Sequence, residues 1–568
     1  MLSKYVTFFD KECPLKEYPR PQFVRDSYLS LNGKWEFEMS NNEQIPTSFS
    51  KTIIVPYCVE SILSDICEKV EENTWLFYRK KFNLPKNMIN DKIILHFGAV
   101  DQYCKVYVNQ HFVGEHHHGY LPFSMDIKPF INKNENEIIV VVKDDLNHDY
   151  PYGKQSHQNK GIWYTPVSGI WQSVWMEAFS NDAIEQITIK PDIDQKRVRV
   201  VVQTHSEEVS LKIYFQNQLI AQQNSKNTIF DIYIEDMHLW SPETPYLYDL
   251  VLKTKHDEVR SYFAMRKFSI QNNHFLLNNQ LYFIHGVLDQ GYFPDGIYTP
   301  ASYNAYKEDI LSMKNLGFNC LRKHIKIEPM IYYYYCDIYG LIVLQDMVNN
   351  GPYSFVLDSA LPMIGLKQKA FLLKKQTATQ KEIFKKTMIE TIDYFYNVPC
   401  IGYYTIFNEG WGQHESDTYY RLAKEMDDSR IIDSTSGWFK EKESDVESLH
   451  IYFKKIKIKK NDLTKPIIIS EFGGYAFKIK NHVYDEKSEF GYKKFADASS
   501  YMQAIYKLYQ QEIIPNIKNG LAGCIYTQLS DVENEINGLL TYDRKICKVD
   551  KTLMLEIKKR IKEEFYHE

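Results

Sequence analysis

No stretch of about 18 consecutive apolar residues occurs in the 568-residue chain, so no membrane-spanning helix is expected. Cysteine is sparse: nine residues are scattered from Cys13 to Cys547 with no CxxC pair, which argues against a disulfide framework and for reduced thiols. Charge of one sign is also missing. With 73 acidic against 68 basic residues, a net charge of -5 and a pI near 6.4, there is no broad basic field, and a nucleic-acid partner is not expected. No internal repeat of fixed period is present. The opening apolar run ends by Phe9 and meets charge at Asp10, too short for a signal peptide, so a cytoplasmic location is expected. Aromatic residues, by contrast, are abundant, with 43 Tyr and 32 Phe. They suit stacking on sugars as well as core packing.

A chain of this length exceeds what one hydrophobic core holds, and two or three domains are expected. From Leu31 to about residue 180, short strands broken by turns (Thr52–Val55, Leu76–Phe82, Lys92–Phe97, Lys105–Val108, Glu137–Lys143, Ser173–Glu177) predict a jelly-roll β-sandwich over residues 1–180. Asn109 to Gly114 reads as a hairpin. The histidines that follow, His116, His117 and His118, would alternate in direction on an extended segment, which argues against one shared metal ion. Residues 181–270 alternate in the manner of a second, immunoglobulin-like sandwich. Beyond residue 270, eight apolar runs alternate with helical periodicity, predicting a closed (β/α)8 barrel over residues 271–568. The segment between Asn349 and Gln380 is expected as an elaborated loop on its functional face.

Two of the eight runs lead into a carboxylate. Ile401–Phe407 runs into Asn408-Glu409-Gly410, and Ile467–Ser470 into Glu471-Phe472-Gly473. Such barrels do their chemistry at the carboxyl ends of the strands, so Glu409 and Glu471, after the fourth and seventh strands, are expected to face one cleft.

Taken together these segments resemble glycoside hydrolase family 2, which holds β-galactosidases, β-glucuronidases and β-mannosidases. The resemblance rests on Leu31-Asn32-Gly33-Lys34-Trp35, Gly169-Ile170-Trp171-Gln172, Leu239-Trp240-Ser241-Pro242, His285-Gly286-Val287, Asn319-Cys320-Leu321-Arg322, Asn408-Glu409 and Ser470-Glu471-Phe472-Gly473. It implies an exo-acting retaining glycosidase with Glu409 as acid/base and Glu471 as nucleophile. Such chemistry needs carboxyl groups about 5 to 5.5 Å apart, one protonated and one ionised. The resemblance makes Arg322 the cation beside the nucleophile and Asn408 the partner of the sugar 2-hydroxyl. Tyr452 is a candidate for positioning Glu471, His324 for a substrate contact, and Asp289, opening a turn-rich loop to Gly296, for the subsite wall. Trp411, Trp438 and Tyr526 are candidates for a stacking face, with core packing the alternative for each.

Departures from the family pattern bear on the sugar. The Asn-x-Lys that precedes a glycine in β-glucuronidases is here Glu535-Ile536-Asn537 before Gly538, which points away from glucuronides and toward a β-galactoside. Lys323 and Lys326 leave a uronate open by another route, so β-glucuronide or β-galacturonide is the runner-up and β-mannoside follows. A transglycosylase would use the same pair of carboxylates, and a carbohydrate-binding protein on an inactive barrel is the non-enzymatic alternative. The resemblance implies a carbohydrate substrate, no cofactor, and relatives that often oligomerise.

Overall fold

The computed structural model describes residues 1–363, 373, 375–459, 465–487 and 489–566. Its first unit is two antiparallel sheets, of four and six strands, whose facing residues form one core around Trp35, Phe37, Leu95 and Val140. Turn chemistry fixes the register. Asn109 and Gln110, both with positive φ (48° and 68°), make the two-residue hairpin between Tyr103–Val108 and His111–His117. His117 stacks on Tyr103 while His116 lies on Phe123, as alternation along a strand requires.

The second unit pairs sheets of three and four strands around Val200, Leu211, Phe230 and Leu250. The motif tryptophans pin units together: Trp240 Nε1 donates to Asp337 O of the barrel at 2.8 Å, and Gln172 Nε2, next to Trp171, donates to Ile327 O at 3.3 Å.

The barrel strands are, in order, Ile284–Asp289, Cys320–Lys323, Ile342–Asp346, Ile401–Asn408, Ile431–Ser436, Glu447–Ile451, Ile467–Gly473 and Leu521–Thr527. They pair in parallel in the order 5-4-3-2-1-8-7-6, and the fifth and sixth come side by side, bridged by Ser436 Oγ and Ser448 Oγ at 3.0 Å, so the sheet is nearly closed. Every residue of the first five, seventh and eighth strands is buried; most begin as apolar runs, and their polar residues, such as Arg322 and Ser436, gather at the carboxyl ends. Part of the expected loop between Asn349 and Gln380 lies outside the described residues. The described part begins against the first sandwich, where Tyr152 N donates to Asn349 O at 3.1 Å. Among the described residues no helix is long and apolar enough to cross a membrane.

Candidate active site

The fourth strand ends in a tight turn that needs a glycine at its second position. Glu409 and Gly410 both have positive φ (53° and 79°), and a Cβ at Gly410 would lie 2.5 Å from the Phe439 ring. The left-handed conformation costs a non-glycine residue about 1–2 kcal/mol. It is held by hydrogen bonds from Glu409 N to Ser436 O and from Trp411 N to Asn408 O, both 2.9 Å. Backbone strain of this kind clusters where a side chain must be aimed.

Glu471 is aimed differently. It lies within the seventh strand, not beyond it as its sequence suggests. The register slips by one residue between Leu449/Ile469 and His450/Glu471 on one side, and again toward the eighth strand. A bulge at Ser470 therefore turns Glu471 into the barrel. One oxygen of Glu409, one of Glu471 and one nitrogen of His450 all lie within 4.8 Å of one another.

Arg322, fully buried at the end of the second strand, ties this cluster together. Its Nε donates to Asp346 Oδ1 (3.0 Å), Nη1 to Glu471 Oε1 (3.0 Å) and Nη2 to Asn408 Oδ1 (2.8 Å). Tyr452 OH makes a short hydrogen bond to the other Glu471 oxygen. The Asn408 amide nitrogen is buried and has no hydrogen-bond partner among the described residues. An orphaned donor here is one that a sugar hydroxyl can satisfy.

His450, which no sequence motif marks, stands two residues before Tyr452 at the end of the sixth strand, and both side chains turn toward the carboxylates. Its Nδ1 is 2.8 Å from Glu409 Oε1, and its Nε2 is 3.3 Å from Arg322 Nη1 and 2.9 Å from Ser436 Oγ. Arg322 only donates, so Nε2 accepts and Nδ1 carries the proton toward Glu409. Burial pushes His450 down to about 3, leaving the ring neutral. Below it Ser436, Ser448 and Ser470 form a hydroxyl triangle with edges of 2.6 to 3.0 Å.

The two carboxylates are supported unequally. Burial pushes Glu409 up to about 7, against the charges of Lys154 and Arg322, which pull it down, while Glu535 adds to the rise. Burial raises Glu471 too, but Arg322 and Tyr452 bind its ionised form directly. Glu409 is thus fitted to hold a proton near neutrality, and Glu471 to shed one. The same three groups have the donor types of a metal site. Arg322 already places a permanent cation against Glu471 and His450, and a divalent ion there would meet its repulsion.

Other expected residues divide. His324 reaches the site with Nδ1 2.8 Å from Asp346 Oδ2, and Trp438, half-buried, donates from Nε1 to His450 O at 3.3 Å. Asp289 does not serve the subsite: Lys323 Nζ (2.7 Å) and Tyr332 OH (2.9 Å) take one oxygen and Gly291 N (2.9 Å) the other. The loop it opens is buried between barrel and first sandwich, where Tyr292 lies 4.8 Å from Tyr164. Tyr526 points outward from the barrel, packing on Phe472 at 5.6 Å and beside Tyr501 of a covering helix, because inward and outward positions alternate and its neighbour Thr527 faces Tyr452. Trp411 is 2% exposed, and the face expected to stack on a sugar is covered by Trp163 at 5.3 Å. Lys323 and Lys326 are buried on Glu328, 2.9 Å from each, which removes them as anchors for a uronate.

The first sandwich contributes residues that no motif revealed. Trp163 covers Trp411, Tyr164 OH makes a short hydrogen bond to Glu535, and Lys154 lies 5.9 Å from the Trp411 ring.

Three family models match the chain: the sugar binding domain of glycosyl hydrolases family 2 over residues 28–178, a second domain of that family over 182–266, and its TIM barrel domain over 268–563. A β-galactosidase of Halalkalibacterium halodurans is 24% identical over 422 residues, 70% of this chain and 40% of that protein. A β-glucuronidase of Streptococcus agalactiae is 24% identical over 338 residues, 54% of each. The matches thus span about half the length of these curated relatives. The solved β-glucuronidase of an uncultured Clostridium superimposes with a TM-score of 0.75 over 95% of this chain and 99% of that one, at 20% identity, a likeness of fold.

Proposed function

The chain belongs to glycosyl hydrolase family 2, and from that premise we propose that it is a retaining β-glycosidase that removes a terminal β-linked sugar. The observation that carries this reading is the approach of Glu409 and Glu471 within 4.8 Å in one buried cluster, each with a support suited to a different protonation state. That separation is on the retaining side of the division between about 5 Å and about 6.5–9.5 Å.

In the first step Glu471 attacks the anomeric carbon while Glu409 protonates the departing glycosidic oxygen. His450 occupies Glu409 Oε1, so the transferable proton sits on the other oxygen. Asn408 donates its free amide hydrogen to the 2-hydroxyl, a contact that strengthens as the ring becomes oxocarbenium-like. Once Glu471 is esterified its charge is gone, the repulsion on Glu409 ends, and the ionised Glu409 takes a proton from the attacking water. Two inversions give retention. The paired, fully supported carboxylates favour catalysis over binding alone.

The test is a panel of 4-nitrophenyl β-galactoside, β-glucuronide, β-galacturonide, β-mannoside and β-glucoside, with the first-formed anomer read by NMR. A β-anomer from one of them is expected; an α-anomer, or no turnover at all, overturns the reading. The pH profile is a second expected outcome. Glu409 must be protonated to act as acid and is pushed up to about 7, so kcat/KM falls as pH rises through about 7. The acid limb follows Glu471, which must be ionised and which burial raises above the ordinary carboxylate value. An alkaline limb that persists unchanged in Glu409→Gln, measured on an activated aryl glycoside, assigns that limb to another group.

A further inference from the structure

The cations around the barrel mouth are already matched. Arg322 binds Asp346 and Glu471, Lys323 binds Asp289 and Glu328, Lys326 binds Glu328, Lys548 binds Asp531 and Arg544 binds Asp309. Lys154 is not matched. It is 7% exposed, yet among the described residues no carboxylate lies within 4.0 Å of its ammonium and no hydrogen-bond acceptor is in reach. The stem is buried, but the ammonium itself is not shut off from water: it opens into the cleft with no counter-charge beside it.

Its place is set from below. Gly153 has φ +61°, and a Cβ there would lie 2.7 Å from Tyr120 OH and 3.1 Å from Ile325 O. Tyr164 N donates to Lys154 O at 3.0 Å. The neighbouring Gln155 is locked: its Nε2 donates to Asp101 Oδ2 (2.7 Å) and Tyr120 OH (2.9 Å), and its Oε1 accepts from Val167 N (2.7 Å). From this base the ammonium stands 5.6 Å from the Tyr164 ring and 5.9 Å from that of Trp411, two residues beyond Glu409. Lys154 acts electrostatically on both Glu409 and His324, which places it at the same cleft. Glu535 stays more than 4.0 Å away, with one oxygen accepting from Tyr164 OH and the other from Asn537 Nδ2 at 2.9 Å.

We propose that Lys154, delivered by the first sandwich, recognises an acidic substituent on the sugar, so that the site takes a β-linked uronide whose carboxylate is the missing counter-charge. This rests on the glycosidase reading above and deepens it. A carboxylate placed against it supplies a charge-assisted hydrogen bond, roughly twice as strong as a neutral one, together with the counter-charge that a hydroxyl lacks. It also revises the β-galactoside expectation: a neutral sugar gives Lys154 no partner.

The experiment compares kcat/KM on 4-nitrophenyl β-glucuronide and β-galacturonide with that on the matching β-glucoside and β-galactoside, for wild type, Lys154→Met and Lys154→Arg. Wild type is expected to prefer one uronide over its neutral counterpart by at least about a hundredfold. Lys154→Met is expected to lower that ratio by about a hundredfold or more, mainly through KM, as when one partner of a buried charge pair is removed. Lys154→Arg should restore part of it. Losing the lysine also removes a charge that favours ionised Glu409, so the alkaline limb on a neutral glycoside should move to higher pH; the other groups facing Glu409, namely Arg322, His450, Glu471 and Glu535, are unchanged. Equal losses on acidic and neutral sugars would overturn the proposal, as would a wild type that prefers the neutral glycoside while still depending on Glu471. Turnover of no glycoside would instead overturn the glycosidase reading itself. Should Lys154→Met not fold, competitive inhibition of wild type by free D-glucuronate or D-galacturonate against D-glucose or D-galactose decides: no preference for the acids refutes the assignment.

Discussion

Replacing Glu471 by Gln is expected to lower kcat/KM by about four to six orders of magnitude on every glycoside the protein cleaves, the scale seen when a nucleophile is removed from an enzyme that forms a covalent intermediate. The amide keeps the shape and still accepts from Arg322 Nη1, but it is a poor nucleophile, and among the described residues no other carboxylate is placed to replace it. Asp346 is already bound to Arg322 and His324. The substitution should leave the fold intact, because Arg322 keeps Asp346 as its counter-charge. It should also lower the pKa of Glu409, since one negative neighbour is gone. Steady-state kinetics together with thermal unfolding check this. A variant that unfolds like wild type yet keeps more than about a hundredth of the activity removes Glu471 from the nucleophile role.

Removing Glu409 has a different signature. Glu409→Ala is expected to cost about 10²–10⁴-fold in kcat on a glycoside with a poor leaving group, which needs the proton. On a 2,4-dinitrophenyl glycoside the first step should be nearly spared. The second then becomes limiting, because water has lost its base, and a burst of dinitrophenolate should precede a slow steady state. Azide needs no base and fits the space left by the carboxylate, so it should restore turnover and yield the β-glycosyl azide. An α-azide, or equal losses across leaving groups, places the acid elsewhere. Alanine at a φ of +53° carries its own strain, and Glu409→Gln serves as the control that keeps the side chain's bulk and its contact with His450.

Much of the fold was legible in the sequence. Eight apolar runs spaced by helical periodicity are local features, and the structure has eight parallel barrel strands in that part of the chain. Glu409 and Glu471 stood out for the same reason: a buried strand that stops at a carboxylate shows itself in a few consecutive residues. Asn408 directly precedes Glu409, whereas Tyr452 was a candidate only through the family resemblance, 19 positions before the Glu471 it touches.

What the sequence could not express is which way each side chain faces and what stands opposite it. The bulge at Ser470 turns Glu471 inward, and alternation on the eighth strand sends Tyr526 outward to Tyr501, although both were read as facing the cleft. Asp289 looked free until Lys323 and Tyr332 were found on it, and His450, unremarkable in Leu449-His450-Ile451, proved to touch Glu409. Lys154 lies 255 positions before Glu409 and in another sheet system. Composition and periodicity are short-range and determine the elements and their order. Charge pairing and side-chain direction depend on register and on contacts between distant segments, so they are decided only when the sandwich closes over the barrel mouth and water leaves the groups between them.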